Sequence, residues 1–131
     1  MKSYVGAATV YVTDPDRAKA FFMEKFGWAC VVDVPMGEDY RWITVGPSGD
    51  RDAEQTEIVL AKESNEEWSG KAGVRTNLII ECENVDAMVK TLKEKGVEIT
   101  DGPKNESWGG WAMFKDSEGN EYGLHSDPRN S

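Results

Sequence analysis

The sequence predicts an α+β protein built from two tandem βαβββ modules. Three observations carry this: a strand, cap, helix and glycine order that occurs twice, landmark residues that keep step between the two occurrences, and alternating apolar patterns after each helix.

In the first occurrence ATVYV, residues 8 to 12, alternates as a strand does. Thr13-Asp14-Pro15 then supplies an N-cap followed by proline at the first helical position. From Asp16 to Phe26 the residues Ala18, Phe21, Phe22 and Phe26 share one helical face, and Gly27 is the stop. Three strands follow, Ala29 to Val34, Arg41 to Val45 and Thr56 to Ala61, with GPSGDRDAEQ as a long polar turn before the last.

The second occurrence repeats the order. Leu78, Ile79 and Ile80 form a strand, and Asn84 caps a helix whose Val85, Met88, Val89 and Leu92 share a face ended by Gly96. The strands Val97 to Thr100, Trp111 to Lys115 and Glu121 to His125 follow, with DSEGN as a tighter turn. Asp14 aligns with Asn84, Gly27 with Gly96, Pro35 with Pro103, Trp42 with Trp111 and Gly49 with Gly119, all at offsets near 70 residues, so the chain reads as a duplication. Module one covers about 5–63, a linker about 64–74 and module two about 75–126, within a single domain of 131 residues.

Composition narrows the function. Twenty-four acidic residues against fifteen basic give a net charge of -9, and no Lys/Arg cluster suited to a phosphate backbone is present, so nucleic acid is not an expected partner. No run of apolar residues approaches membrane-spanning length, and YVGAATVYV reads as a strand rather than a signal, so we expect a cytoplasmic protein without a membrane partner. Cys30 and Cys82 lack any metal or disulfide spacing and are expected as buried free thiols. No nucleophile elbow, phosphate-binding glycine loop or Cys-His pairing is present.

The βαβββ duplication, together with VYVTDPDRAKAFFMEKFGW, DVPMGEDYRWITVGP and FKDSEGNEYGL, resembles the vicinal oxygen chelate superfamily, which contains glyoxalase I, extradiol dioxygenases and bleomycin-resistance proteins. The resemblance covers Val5 to Ser126 and implies curled mixed sheets around a cleft. It also implies, for metal-using members, four ligands: a His on the first strand of each module and a Glu or Gln on the last. Here the resemblance places Ala7, Asn77, Glu57 and Gly123 at those positions, of which only Glu57 ligates well and Asn77 offers a carbonyl oxygen. The expectation is therefore no metal and no other cofactor, with a divalent ion on shifted ligands as the alternative. His125, beyond Gly123 on the same strand face, is expected near the mouth of the cleft as a solvated or hydrogen-bonded residue.

Strand alternation separates a helix-facing core (Ala8, Val10, Val12, Ile43, Val45, Ile58, Leu60, Leu78, Ile80, Ala112, Phe114, Tyr122, Leu124) from the opposite, cleft-facing positions. The latter include Thr9, Tyr11, Trp42, Thr44, Glu57, Val59, Asn77, Trp111 and Met113. Aromatic rings with scattered polar anchors are the usual lining of a small-molecule pocket. Thr9, Tyr11, Trp42, Asn77, Trp108, Trp111 and Met113 are thus the expected ligand-binding residues, although tryptophans at 42 and 111 could equally pack the sheet or a dimer interface. Trp108 in ESWGGW reads either as a lid on a glycine-hinged loop or as a cover over the barrel end, and Asp14 as a cap rather than a catalytic group.

The leading expectation is a homodimer that binds or sequesters a small aromatic or cationic molecule in a Trp-lined cleft. The alternative is an isomerase, lyase or dioxygenase-like enzyme, using Glu57 as the catalytic base or a divalent metal.

Overall fold

The computed structural model describes residues 3–63 and 70–128, so residues 64–69 of the expected linker lie outside the described residues. Ten elements follow in order: β1 (Ala7–Val12), α1 (Pro15–Phe26), β2 (Ala29–Pro35), β3 (Arg41–Gly46), β4 (Glu57–Lys62), β5 (Arg75–Glu81), α2 (Val85–Glu94), β6 (Glu98–Glu106), β7 (Gly109–Lys115) and β8 (Glu121–Ser126). The chain divides into two compact units, Met1–Ala72 and Gly73–Ser131.

Each unit is a four-stranded mixed sheet carrying one helix. The strand orders are β1-β4-β3-β2 and β5-β8-β7-β6. In both, the first and last strands of the unit pair parallel and the remaining pairs are antiparallel. The identical topology is the structural counterpart of the repeat in the sequence.

The helix ends follow local chemistry. The Asp14 carboxylate accepts from the Arg17 N–H at 3.2 Å, Pro15 needs no amide partner at the first turn, and Gly27 closes α1 at φ 68°. Asn84 accepts from the Ala87 N–H at 3.0 Å, and Gly96, at φ 83°, follows the end of α2.

The cores lie between each helix and its sheet. In the first unit Phe22 is fully buried and stacks on Trp28 at 5.4 Å, with Phe21 and Phe26 around it. Phe114 stacks on Tyr122 at 5.1 Å in the second, beside Val85, Val89 and Leu92 of α2. Burial of each such side chain stabilises the fold by about 1.5–3 kcal/mol. Ten of the thirteen expected core positions are buried; Ala8, Leu78 and Ile80 are half-buried.

Two expectations are corrected here. The sixth strand does not stop at Thr100 but runs to Glu106, and Glu106 pairs with Gly109, so Trp108 sits in a two-residue hairpin turn rather than a hinged loop. The reason is steric: a Cβ on Gly109 would lie 2.1 Å from the Ser126 carbonyl oxygen, and one on Gly110 would lie 3.0 Å from the Val85 Cβ. These glycines permit close approach of β7 to the end of β8 and to α2. The cysteines are free, as expected, but half-buried rather than buried; burial still pushes both thiols up from the usual value.

Candidate functional site

In the first unit the parallel pairing sets Ala7 opposite Glu57, Thr9 opposite Val59 and Tyr11 opposite Ala61, while β3 sets Thr44 opposite Val59. Thr9, Tyr11, Trp42 and Glu57 thus share one sheet face with Thr44. Val59 and Thr44, expected to line an open cleft, are 1% and 2% exposed, and the Thr44 hydroxyl has no hydrogen-bond partner among the described residues. The Tyr11 ring packs on the backbone of Gly70, where a Cβ would lie 2.0 Å from it.

In the second unit Ile79 lies opposite Gly123, Glu81 opposite His125, Trp111 opposite His125 and Met113 opposite Gly123. The matched caps make Ile79 the counterpart of Thr9, so the repeat partner of Gly123 is Val59, and that of Glu57 is Glu121. The expected pairing of Glu57 with Gly123 is therefore corrected by one step of two residues, about 7 Å along the strand. A long polar loop in the first unit, against a short turn in the second, hid this shift from counting along the sequence.

Gly123 has a clear structural reason. A Cβ there would lie 2.5 Å from Cη2 of Trp111, so the far edge of the indole occupies the space a side chain would need. Asn77 sits in a bulge between the Arg75 and Ile79 pairings at φ 63°, a left-handed conformation that Asn tolerates better than most residues, and its side chain is exposed. Met113 is 9% exposed, with the Arg75 guanidinium 3.8 Å from its sulfur.

The donors required for a divalent ion do not fit this arrangement. Ala7, Val59 and Gly123 carry none, the place beside Gly123 is filled by a ring, and among the described residues no three His, Cys, Asp or Glu side chains form a metal-holding group.

At the rim of the second unit a polar and aromatic cluster joins three elements. His125 Nδ1 lies 2.5 Å from Glu81 Oε1, and its Nε2 lies 3.0 Å from the Trp108 carbonyl oxygen. Its ring stacks on Trp108 with 6.0 Å between centroids, and Trp108 meets Trp111 edge to face at 5.9 Å. Both hydrogen bonds, that to Trp108 first, raise the His125 pKa from its ordinary value. The single histidine was legible in the sequence; its pairing with Glu81 across the parallel strands was not.

A second feature was missed altogether. A pocket of about 610 Å³ opens in the first unit between the start of α1 and the β2–β3 connection, lined by Asp14, Asp16, Glu38, Tyr40, Arg41 and Lys62 among others. Arg41 makes a two-oxygen contact with Asp33 and a 2.9 Å pair with Asp16, and holds both carboxyls below the usual range. The signal in the sequence was the acidic run around Gly37 to Asp39, whose position over the helix start only folding provides.

Two mixed βαβββ sheets with this matched register are the architecture of one protein class. The chain belongs to the glyoxalase/bleomycin resistance protein/dioxygenase superfamily, whose family model matches residues 4–124. Among its relatives, it is 31% identical to the protein YetH of Bacillus subtilis (strain 168) over 122 residues, 93% of this chain and 97% of that one. Its fold is similar to that of TnmS3, an antibiotic binding protein from Streptomyces sp. CB03234, with TM-score 0.79 and 36% identity over 96% of this chain and 97% of that one. A superfamily member from Sphaerobacter thermophilus DSM 20745 superposes with TM-score 0.84 at 31% identity, covering 96% of this chain and 98% of the other. No helix among the described residues is long and apolar enough to cross a membrane.

Proposed function

We propose that this protein binds a small, planar aromatic or cationic molecule on its ring-bearing sheet faces, without a catalytic metal. The observation that carries this is the Trp111 edge over Gly123: at the position where the family resemblance implies a ligating carboxylate, the chain has an indole surface. A site built on rings favours stacking and cation–π contact over Lewis-acid chemistry. The likeness to an antibiotic binding protein supports a small-molecule ligand, and the acidic chain favours a cationic one.

The direct test is titration of planar aromatic antibiotics and cationic aromatic dyes while following tryptophan fluorescence and Tm. Saturable quenching with a thermal upshift is expected, and Trp111→Ala should weaken binding by about 10-fold or more, as loss of a central aromatic anchor does. Absence of any response across the set would reject the reading. So would a rise in Tm on adding a divalent transition metal that chelation reverses.

A further inference from the structure

Trp108, exposed on a two-residue turn, has little local packing to hold its ring, yet it is stacked between His125 and the edge of Trp111. What fixes it is the imidazole. One ring nitrogen faces the Trp108 backbone carbonyl and the other the Glu81 carboxylate, and both of those groups accept hydrogen bonds without being able to donate in their usual form. Only a ring carrying protons on both nitrogens satisfies the two at once. We propose that His125 is a positioning residue that acts as a doubly protonated latch, tying β5 and the β6–β7 turn together and so holding Trp108 against Trp111.

Loss of one proton has a definite consequence. Whichever nitrogen gives it up, a lone pair then faces an acceptor: the Glu81 carboxylate 2.5 Å from Nδ1, on a side chain 66% exposed, or the Trp108 carbonyl oxygen 3.0 Å from Nε2. The bond to Trp108 is then either lost or left as a neutral one of roughly half the strength, and the cationic face stacked on the Trp108 indole is lost in both cases. The charged groups facing the ring are Glu81 from β5 and Asp127 just after β8, both acidic, and the turn contributes only its carbonyl. All favour the protonated ring. The aromatic wall is therefore held at lower pH and loosened as pH rises, which would make ligand uptake on this face proton-linked if the binding reading above holds.

The test needs no ligand, so it stands apart from that reading. The His125 ring signals would be followed by NMR from about pH 5 to about pH 9 alongside tryptophan emission, with an unstructured histidine peptide in the same buffer as the reference. The expected result is a His125 midpoint above that of the peptide, a change in tryptophan emission with the same midpoint, and a downward shift of both in Glu81→Gln. His125→Gln should abolish the emission step. A midpoint no higher than that of the peptide, one unmoved by Glu81→Gln, or flat emission would overturn the proposal. Should His125→Gln fail to fold, the wild-type and Glu81→Gln titrations decide alone. Failure of every ligand to bind, with the titration as expected, would sink the binding reading and leave the latch intact.

Discussion

The two units have the same strand order and matching caps, yet differ where their third and fourth strands meet. Thr44 lies opposite Val59 in the first, and Met113 lies opposite Gly123 in the second. Valine fills its place with its own methyls and is 1% exposed; glycine leaves a gap that the edge of Trp111 fills. Duplicated topology thus preserves backbone pairing while one deleted side chain changes what the surface offers, from a β-branched floor to an indole. The connections differ in the same sense. Five residues, Met36 to Tyr40, join β2 to β3, whereas two residues join β6 to β7, and a Cβ on Gly37 meets nothing within 4 Å while one on Gly109 meets backbone.

The largest expected contrast lies at those two glycines. Gly109→Ala combines φ 125° with contact against the Ser126 carbonyl oxygen and should cost about 3 kcal/mol or more, whereas Gly37→Ala at φ 105° in open space should cost about 1–2 kcal/mol from strain alone. Denaturant unfolding of both would read the difference. Equal losses would show that the close approach of β7 to β8 contributes nothing.

Next come the turns before each closing strand. Asn120 is fully buried and its side-chain oxygen accepts from the Gly73 and Val74 N–H groups at 2.7 and 3.0 Å. In the first unit the amide in the turn before β4 is Gln55, one register step earlier, which bonds Ser48 through both ends of its amide at 2.7 and 2.9 Å but is only half-buried. Asn120→Ala should cost about 2–3 kcal/mol and Gln55→Ala about 1 kcal/mol. Thermal melts would separate them by several degrees, roughly 3–6 °C per kcal/mol at this size.

A smaller effect tests the glycine itself. Gly123→Ala must push the free end of an indole aside, an overpacking of about 1–2 kcal/mol, and should shift tryptophan emission. Val59→Ala in the matched position loses packing by about 2 kcal/mol but should leave emission unchanged. If both variants shift emission alike, the two faces are more similar than their side chains indicate.

The smallest effect is the pH dependence of stability at the second unit's rim. The partners of His125 raise its folded pKa, so the stability it adds is present in full below the ordinary histidine value and is lost as pH rises through the raised one. Tm measured across that window should fall in the wild type by more than in His125→Gln. The first unit has no histidine to produce such a step.

Much of this molecule could be read from residues alone. Caps at Asp14 and Asn84, stops at Gly27 and Gly96, and period-2 strands are local signals, set by backbone chemistry within a few residues. The β6 boundary was not legible, because Gly102 and Pro103 read as a break although the strand continues through irregular pairing to Glu106. Nor was the purpose of Gly109 and Gly110, which depends on Ser126 and Val85 in other elements.

By itself, then, the sequence determined the element order, the duplication, both helix ends and most of the core, since each depends on neighbours along the chain or on simple periodicity. Only the tertiary structure decided the register of β4 and β8, the indole over Gly123, the pocket beside α1, and the His125 bridge to Glu81 and Trp108. Those depend on distances between residues 12 to 50 positions apart in the chain, which periodicity cannot encode and packing must supply.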